Sequence, residues 1–358
     1  VDSQKPRLSG KLDTHQEGAQ RRKILKMNIL VTGATGFIGS HLCRALAEQG
    51  HHVRALHRST SSLALLEGVP AELVQGDLFE PDSLTLAARD IEIVYHCGGR
   101  VGSWTDAEEM AASHVEGTHN ILTAARQCGV RRFIHTSSVA ALGVPERAAE
   151  SSETLPIMDE SHAWNYAAEE WPYGYAKHCA EGEVLRSTAE GFETIILNPA
   201  SVFGAGDKNL ASSAIVMHMA RGRRPPIPPG GLNAIHIDDV IAGHLGALEH
   251  GVSGERYILG GENITHEQLL TTVAEVVGTA RPRWHIPGWS LRYLSSPAEL
   301  LGRIMGIPLR GHMLRMAGLY FYYDNRKAQR ELLVPAPRTH RSGIEDAYTW
   351  YLDNGFLD

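Results

Sequence analysis

Short runs of hydrophobic residues alternate with amphipathic helical patterns along the first two hundred residues of the chain. The first run, NILVTG at 28–33, leads directly into FIGSHLCRALAEQG at 37–50, whose apolar positions recur with the helical period. Five more strand-like runs follow, at 52–58, 71–78, 92–99, 131–138 and 193–200. Buried strands that are separated by helices are typical of a parallel sheet, so the pattern predicts a doubly wound α/β fold.

The pattern becomes less regular after residue 200. A Pro- and Gly-rich stretch at 221–233 predicts irregular structure, and 234–250 then returns to a strand followed by a helix. Ligands of doubly wound folds bind outside the carboxyl ends of the strands, so we expect a pocket between the sheet and a smaller C-terminal lobe. The predicted parts are a large domain at 27–203, to which 234–262 returns, and a substrate-binding lobe made of 204–233 and 263–358.

The segment 1–26 is polar and lacks the apolar core of a secretory signal. Met27 directly precedes the first strand and has the position of a native start. We therefore interpret 1–26 as a disordered or added extension and leave it out of the predicted fold.

Composition narrows the function classes. The chain has 358 residues, of which 43% are hydrophobic and 21% charged, as is ordinary for a globular protein. A formal net charge of −7 gives no general attraction to nucleic acid, and no run of 18 uncharged apolar residues predicts a membrane span. The four cysteines are scattered without metal-ligand spacing, so we expect reduced thiols, a cytoplasmic location and no metal site.

The sequence VTGATGFIGSHL places three glycines between the first strand and the first helix. In that context the first glycine permits a tight turn, the second lets the backbone approach a pyrophosphate, and the third lets the helix pack closely on the strand. The alternative is that the glycines only end a strand. The context favours dinucleotide binding, and the predicted contacts are Gly33, Thr35, Gly36, Phe37, Ile38 and Gly39.

The end of the second strand indicates which dinucleotide is bound. NAD sites usually have an acidic residue about 20 positions after the glycine loop, where it bonds the ribose 2′-hydroxyl. Here the strand ends ALHRST, and its Arg58 suits a 2′-phosphate, so the sequence predicts NADP, with NAD possible if Arg58 only stacks on adenine. Asp77 and Leu78 in QGDL are expected at the adenine edge, unless Asp77 caps the following helix.

A Tyr four residues before a Lys occurs twice, as Tyr173–Lys177 and as Tyr323–Lys327. The strand FIHTSS ends in hydroxyl residues that include Ser138, and Tyr173 begins a helical pattern farther along. Tyr173 and Lys177 then share one helical face, where an ammonium favours ionisation of a phenol whose pKa is ordinarily about 10. No hydroxyl cluster precedes Tyr323, so Ser138, Tyr173 and Lys177 are the predicted proton-transfer set.

These motifs resemble those of the extended short-chain dehydrogenase/reductases, the NAD(P)-dependent epimerase/dehydratase superfamily. The similarity runs from Met27 to the end, because TGATGFIG, GDL, TSSVAALG, the Tyr–Lys pair and NPASVFGAGD occur in the family's order. The segment from GLNAIHIDD to GGENIT is similar to the dihydroflavonol-reductase-like branch, which includes proteins named hopanoid-associated sugar epimerases. GGRVGSW is similar to the 3-beta-hydroxysteroid dehydrogenase branch.

The resemblance implies a Rossmann fold and a homodimer. It also implies that Ser138, Tyr173 and Lys177 are catalytic, that Lys177 contacts the cofactor ribose, and that the segment with Pro199 and Val202 runs past the nicotinamide.

Three places depart from the family pattern. His114 stands where Asn is common, and Cys97, Gly98 and Gly99 replace a commoner His-x-Ala-Ala ending. Related dehydratases carry Asp-Glu directly after the catalytic hydroxyl, whereas this chain has Val-Ala at 139–140, which argues against dehydration.

Three functions are compatible with these residues. The first is an NADP-dependent carbonyl reductase or secondary alcohol dehydrogenase, in which Tyr173 exchanges the proton and Ser138 orients the substrate oxygen. The second is an NAD-dependent nucleotide-sugar epimerase, which would retain its cofactor and show no net redox turnover. The third, a non-enzymatic nucleotide sensor, is disfavoured by the intact set. The expected partner is a small ketone, aldehyde or secondary alcohol, with Trp104 and Tyr175 as candidate contacts.

Overall fold

The computed structural model describes residues 26–100, 107–146, 155–210, 212–288, 290, 316 and 318–357. In chain order its strands are β1 (Asn28–Thr32), β2 (His52–His57), β3 (Glu72–Gln75), β4 (Ile93–His96), β5 (Arg132–Thr136), β6 (Glu193–Pro199), β7 (Ser201–Phe203), β8 (Gly231–His236), β9 (Arg256–Leu259), β10 (Glu262–Thr265) and β11 (Tyr320–Phe321). The α-helices are α1 (Phe37–Glu48), α2 (Pro81–Ala88), α3 (Ala107–Ala111), α4 (Gly117–Gln127), α5 (Pro172–Ala189), α6 (Ala214–Ala220), α7 (Ile237–His250), α8 (His266–Val276), α9 (Arg326–Glu331) and α10 (His340–Asp353).

Seven strands form one sheet in the order β3-β2-β1-β4-β5-β6-β9, and every neighbouring pair in it is parallel. The chain order reverses between β1 and β4, which creates a crevice at their carboxyl ends where folds of this kind bind ligands. The predicted doubly wound α/β class is therefore confirmed. The six runs predicted as strands match β1 to β6 with ends that differ by at most three residues.

Helices cover both faces of the large sheet. Val31 and Ile134 pack in one apolar layer with α1 and α7, while Leu30 and Phe133 pack in the other with α2, α4 and α5. Because successive strand residues point to opposite faces, burial of both faces explains why the central strands β1 and β4 are nearly continuously apolar, whereas the edge strand β3 is mostly exposed. Within the described residues, no helix is both long enough and apolar enough to cross a membrane.

A second, smaller sheet lies beside the first. β8 pairs with β7, β10 and β11, and this sheet packs with α6, α8 and α10 around buried side chains such as Met217, Leu270 and Tyr351. β9 joins the large sheet and α7 packs against α1, whereas β7 and β8 belong to the small sheet rather than to the large one. It stays a prediction that one part of the chain, 27–203 with 234–262, binds the cofactor. The same holds for substrate binding by the remaining lobe.

Candidate active site

The glycine loop connects β1 to α1 at the crevice. Gly33 has a φ of +66°, a left-handed conformation that favours glycine, and its carbonyl accepts the Gly36 amide at 2.9 Å in a tight turn. A Cβ on Gly33 would lie 2.6 Å from the Cys97 carbonyl, and a Cβ on Gly39 would overlap the Gly33 carbonyl. The loop therefore packs against both α1 and the end of β4 with no room for a side chain at Gly33 or Gly39.

The first turn of α1 has no side-chain cap, because Gly36 occupies the cap position. Its amide groups are available to an anion, as a pyrophosphate site requires. Thr35, Phe37 and Ile38 are half-buried around this turn. The Phe37 ring meets the His41 ring edge-on at 5.7 Å, and contacts of these three side chains with a nucleotide stay predictions.

Two arginines near the end of β2 differ in their surroundings. Arg54 bonds Glu72 at 2.8 Å and donates to the Ala87 and Arg89 carbonyls at the end of α2, which makes it a structural residue. Arg58 is exposed just beyond the strand, and its guanidinium has no partner among the described residues. Arg58 is thus free to meet a phosphate at the place where NAD sites carry a carboxylate.

Asp77 and Leu78 lie in the turn after β3. Asp77 Oδ1 accepts the Phe79 amide at 3.0 Å, and α2 begins later, at Pro81, so Asp77 does not cap that helix. The Leu78 side chain lies against Gly98, at the end of β4, where a Cβ would come within 3.1 Å of it. The turn is therefore next to the crevice, as a contact at the adenine edge requires.

Ser138, Tyr173 and Lys177 are brought together at the carboxyl end of β5. Ser138 Oγ accepts the Ala140 amide at 3.2 Å, and the Tyr173 phenol shares a hydrogen bond with the Ser138 hydroxyl. Lys177 is buried one helical turn after Tyr173, and its Nζ donates to the Thr136 carbonyl at 3.1 Å. A phenol, a hydroxyl and an ammonium thus meet at the same edge of the large sheet as the glycine loop, an arrangement that can bind an oxygen atom and exchange a proton with it.

Burial sets the protonation of this group. It raises the pKa of Tyr173, which the hydrogen bond with Ser138 opposes, and it lowers the pKa of Lys177 to about 8. The expected bias towards a phenolate is not found, because desolvation of the phenol outweighs its hydrogen bond. At neutral pH the phenol therefore keeps its proton, while Lys177 is charged and close to its titration range.

The other Tyr–Lys pair is arranged differently. Tyr323 precedes α9 and is buried among Leu142, Met158 and Ile258, and burial raises the pKa of its phenol. Lys327 Nζ instead bonds the Glu255 carboxylate at 2.6 Å and lies over the Tyr257 ring. The two side chains have separate structural tasks.

The two predicted substrate contacts are not tested by this geometry. Tyr175 is 41% exposed and lies in an aromatic cluster with Trp164 and His178. Its contact with a substrate stays a prediction. Trp104 lies outside the described residues.

A π turn, Ala112–Glu116, joins α3 to α4 and places His114 in the site. Its ring lies 5.7 Å from the Tyr173 ring at 78°, and its Nε2 bonds the Arg100 carbonyl at 2.9 Å. Gly99 packs against the same imidazole, since a Cβ there would lie 2.5 Å from it. The departure from Asn at 114 was visible in sequence, but the contact with Tyr173 was not.

The segment after β6 lies beside the same serine. Asn198 Nδ2 donates to the Ser138 carbonyl at 2.8 Å and also bonds Glu181 on α5. Pro199 and Val202 follow in this segment, both buried, and their approach to a nicotinamide stays a prediction. Asn198 and Glu181 were missed in the sequence, although Glu181 is four residues after Lys177 and so repeats the Tyr–Lys spacing.

The fold and the loop define an enzyme class, the NAD(P)-dependent enzymes built on a Rossmann sheet. The chain belongs to the NAD dependent epimerase/dehydratase family, whose model matches residues 29–260. It is 34% identical to a Synechocystis sp. protein named dihydroflavonol 4-reductase, over 91% of this chain and 95% of the relative. It is 31% identical to sterol demethylase protein B of Methylococcus capsulatus, over 92% and 100% of the two chains. The chain in the crystal structure of gox2253 is 35% identical to this one. The two match with a TM-score of 0.81, over 93% of this chain and 100% of that one.

Proposed function

We propose that the protein is an NADP-dependent oxidoreductase that interconverts a carbonyl group and an alcohol. The hydrogen bond between Tyr173 and Ser138, with buried Lys177 one turn farther along α5, is the observation that carries this proposal. The relative named dihydroflavonol 4-reductase supports the direction of carbonyl reduction. The departure from Asp-Glu at 139–140 argues against a dehydratase.

The residues present fit a nicotinamide dinucleotide, because the turn between β1 and α1 is bare backbone at Gly33 and Gly39, where a Cβ would collide with the Cys97 or the Gly33 carbonyl. Its backbone and the α1 amides would hold the pyrophosphate, Arg58 the 2′-phosphate, and Lys177 the ribose hydroxyls. When bound, the cofactor supplies the hydride donor or acceptor.

In the direction of reduction, the Ser138 and Tyr173 hydroxyls bind the substrate carbonyl oxygen. As negative charge develops on that oxygen, Tyr173 donates its proton to it, which yields the alcohol and leaves a phenolate. The Lys177 ammonium stabilises this phenolate until solvent returns a proton to it. Oxidation of an alcohol uses the same groups in reverse.

A second candidate is a nucleotide-sugar epimerase that retains NAD, which the family description favours. The same three residues would remove a proton from a sugar hydroxyl and return it after the ring carbonyl has been reduced from the other face. Net consumption of a nicotinamide cofactor distinguishes the two candidates.

The test is an assay of the purified protein with NADPH or NADH and a panel of aldehydes, aliphatic ketones, dihydroflavonols and 3-ketosteroids. We expect stoichiometric oxidation of NADPH by at least one carbonyl class and lower kcat/KM with NADH. Isomerisation of a UDP-sugar with retained NAD and no net oxidation would instead establish the epimerase. The homodimer and the cytoplasmic location that the sequence suggests remain predictions.

A further inference from the structure

Glu181 is a buried charge next to the proton-transfer group. It lies on α5 one turn after Lys177 and is 1% exposed. Its Oε1 accepts hydrogen bonds from Ser137 Oγ at 2.5 Å and from Asn198 Nδ2 at 2.6 Å, and its Oε2 pairs with the Arg256 guanidinium. All three partners donate to Glu181, as suits a carboxylate, whose oxygens only accept. A buried charge is costly to desolvate, and these three partners offset that cost.

The partners of Glu181 come from three neighbouring strands of the large sheet. Ser137 directly follows β5, Asn198 belongs to β6, and Arg256 begins β9. The Asn198 amide bonds both Glu181 and the carbonyl of Ser138, at 2.8 Å. The carboxylate therefore fixes the backbone on which Ser138 is carried.

Glu181 also dominates the charge around Lys177. Within the described part of the chain, the titratable groups that interact electrostatically with Lys177 include Glu181 from its own helix, His96 and Cys97 at the end of β4, His114 from the π turn, and His135 from β5. Burial lowers the pKa of each histidine and raises that of the Cys97 thiol to about 11, so these groups are neutral at pH 7. Tyr173, on the same helical face, also keeps its proton. Among these neighbours the charged one is the Glu181 carboxylate.

We propose that Glu181 is a positioning residue for proton transfer, which keeps Lys177 charged inside the protein and holds the Ser138 backbone in place. This inference rests on the proposed function of Ser138, Tyr173 and Lys177. Arg256 pairs with the other oxygen of the carboxylate, so the three side chains form a row of alternating charges, Lys177–Glu181–Arg256. Glu181 and Arg256 can be changed separately.

The row predicts shifts of opposite sign in two variants. Glu181→Gln removes the anion, so Lys177 loses its proton at lower pH, and the basic limb of the kcat/KM profile for carbonyl reduction moves down by about one pH unit. Arg256→Gln removes the competing cation, so the same limb moves to higher pH. Arg256→Lys keeps the charge and serves as the matched control, with a limb at the wild-type position.

A second readout does not depend on turnover. A carbon-13 NMR titration of lysine-labelled protein follows Lys177 directly, with Lys177→Gln used to assign its resonance. We expect its pKa to fall in Glu181→Gln and to rise in Arg256→Gln. If Glu181→Gln does not fold, the comparison of Arg256→Gln with Arg256→Lys still decides the sign.

A purely structural Glu181 would give reduced melting temperatures and reduced rates with an unmoved limb and an unmoved Lys177 titration. That result, or shifts of the same sign in Glu181→Gln and Arg256→Gln, overturns the inference and leaves the proposed function standing. Full activity of Tyr173→Phe would instead overturn the proposed function itself.

Discussion

Arg58 and Arg54 show how neighbouring residues of one type acquire different tasks. Arg54 is held by Glu72 and by two carbonyl groups at the end of α2, so its charge is already used within the fold. Arg58 stands exposed beyond β2, at the position from which the ribose of a dinucleotide is read. We therefore expect the choice between NADP and NAD to depend on the Arg58 side chain.

Replacement of Arg58 by Ala tests that claim. A charge-assisted hydrogen bond contributes about 1.5–3 kcal/mol, so Arg58→Ala should raise the Kd for NADPH about 10- to 100-fold and leave that for NADH within about twofold. Arg58→Lys keeps the charge but not the fork and should give an intermediate value. Cofactor titration by fluorescence measures all three, and equal losses for NADPH and NADH would contradict the assignment.

At the scale of elements, the glycine loop and α5 offer a matched pair of glycines. In Gly39→Ala the new methyl group would overlap the Gly33 carbonyl, so α1 has to move away from β1. In Gly182→Ala, on α5, no described atom outside the neighbouring backbone of that helix lies within 4 Å of the new methyl group. The two positions thus separate close packing from helix propensity.

Gly39→Ala should lower the free energy of unfolding by about 1–3 kcal/mol and weaken binding of both NADPH and NADH, because overpacking displaces the phosphate cradle. Gly182→Ala should stabilise by about 0.5–1 kcal/mol, since alanine favours a helix interior, and should leave binding unchanged. Urea unfolding and cofactor titration provide both quantities. A stable Gly39→Ala variant with normal binding would show that the loop is not the cradle.

How far the sequence predicts these elements depends on their length and period. β1 to β6 and α1 were predictable because their apolar residues recur over four or more positions. β7 and β11 have three and two residues, which is too short for any period, so the small sheet was not predicted. The π turn was equally hidden, because the helical pattern continues on both sides of it.

The residues of the site divide in the same way, into local motifs that the sequence reveals and long-range contacts that it does not. Gly33, Ser138, Tyr173 and Lys177 were predicted because their motifs are local and have fixed spacing. The hydrogen bonds of Asn198 with Ser138 and Glu181 depend on strand order, which brings residues from β5, β6 and β9 together. Contacts of that kind cannot be derived from spacing along the chain.

At the scale of the whole molecule, the core contains several neutral histidines. Burial lowers the pKa of His96 and His114 to about 3 and that of His244 to about 4, and lowers that of His135 as well. The unfolded chain takes up these protons near pH 6.5, whereas the folded protein does not. The stability that the neutral histidines provide is complete above pH 6.5 and is lost progressively as the pH falls towards their folded pKa values of about 3 to 4.

Acid should therefore destabilise the protein before its carboxylates titrate. Each such histidine contributes a slope of up to about 1.4 kcal/mol per pH unit below pH 6.5. Urea unfolding at intervals between pH 7.5 and pH 5 should show a free energy of unfolding that falls as the pH falls. His244→Gln should make this fall less steep by the contribution of one histidine. A free energy that is flat over this range would mean that the histidines are hydrated or charged in the folded state.

The most direct test of the account compares the two tyrosines that precede a lysine by four residues. With the best carbonyl substrate and NADPH, Tyr173→Phe should lower kcat by about 100- to 10,000-fold, the usual loss for a positioned acid, while the melting temperature stays within a few degrees. Tyr323→Phe, in the apolar cluster with Met158, should keep kcat near the wild-type value. Equal kcat values for wild type and Tyr173→Phe would contradict the assignment of Tyr173 as the proton donor.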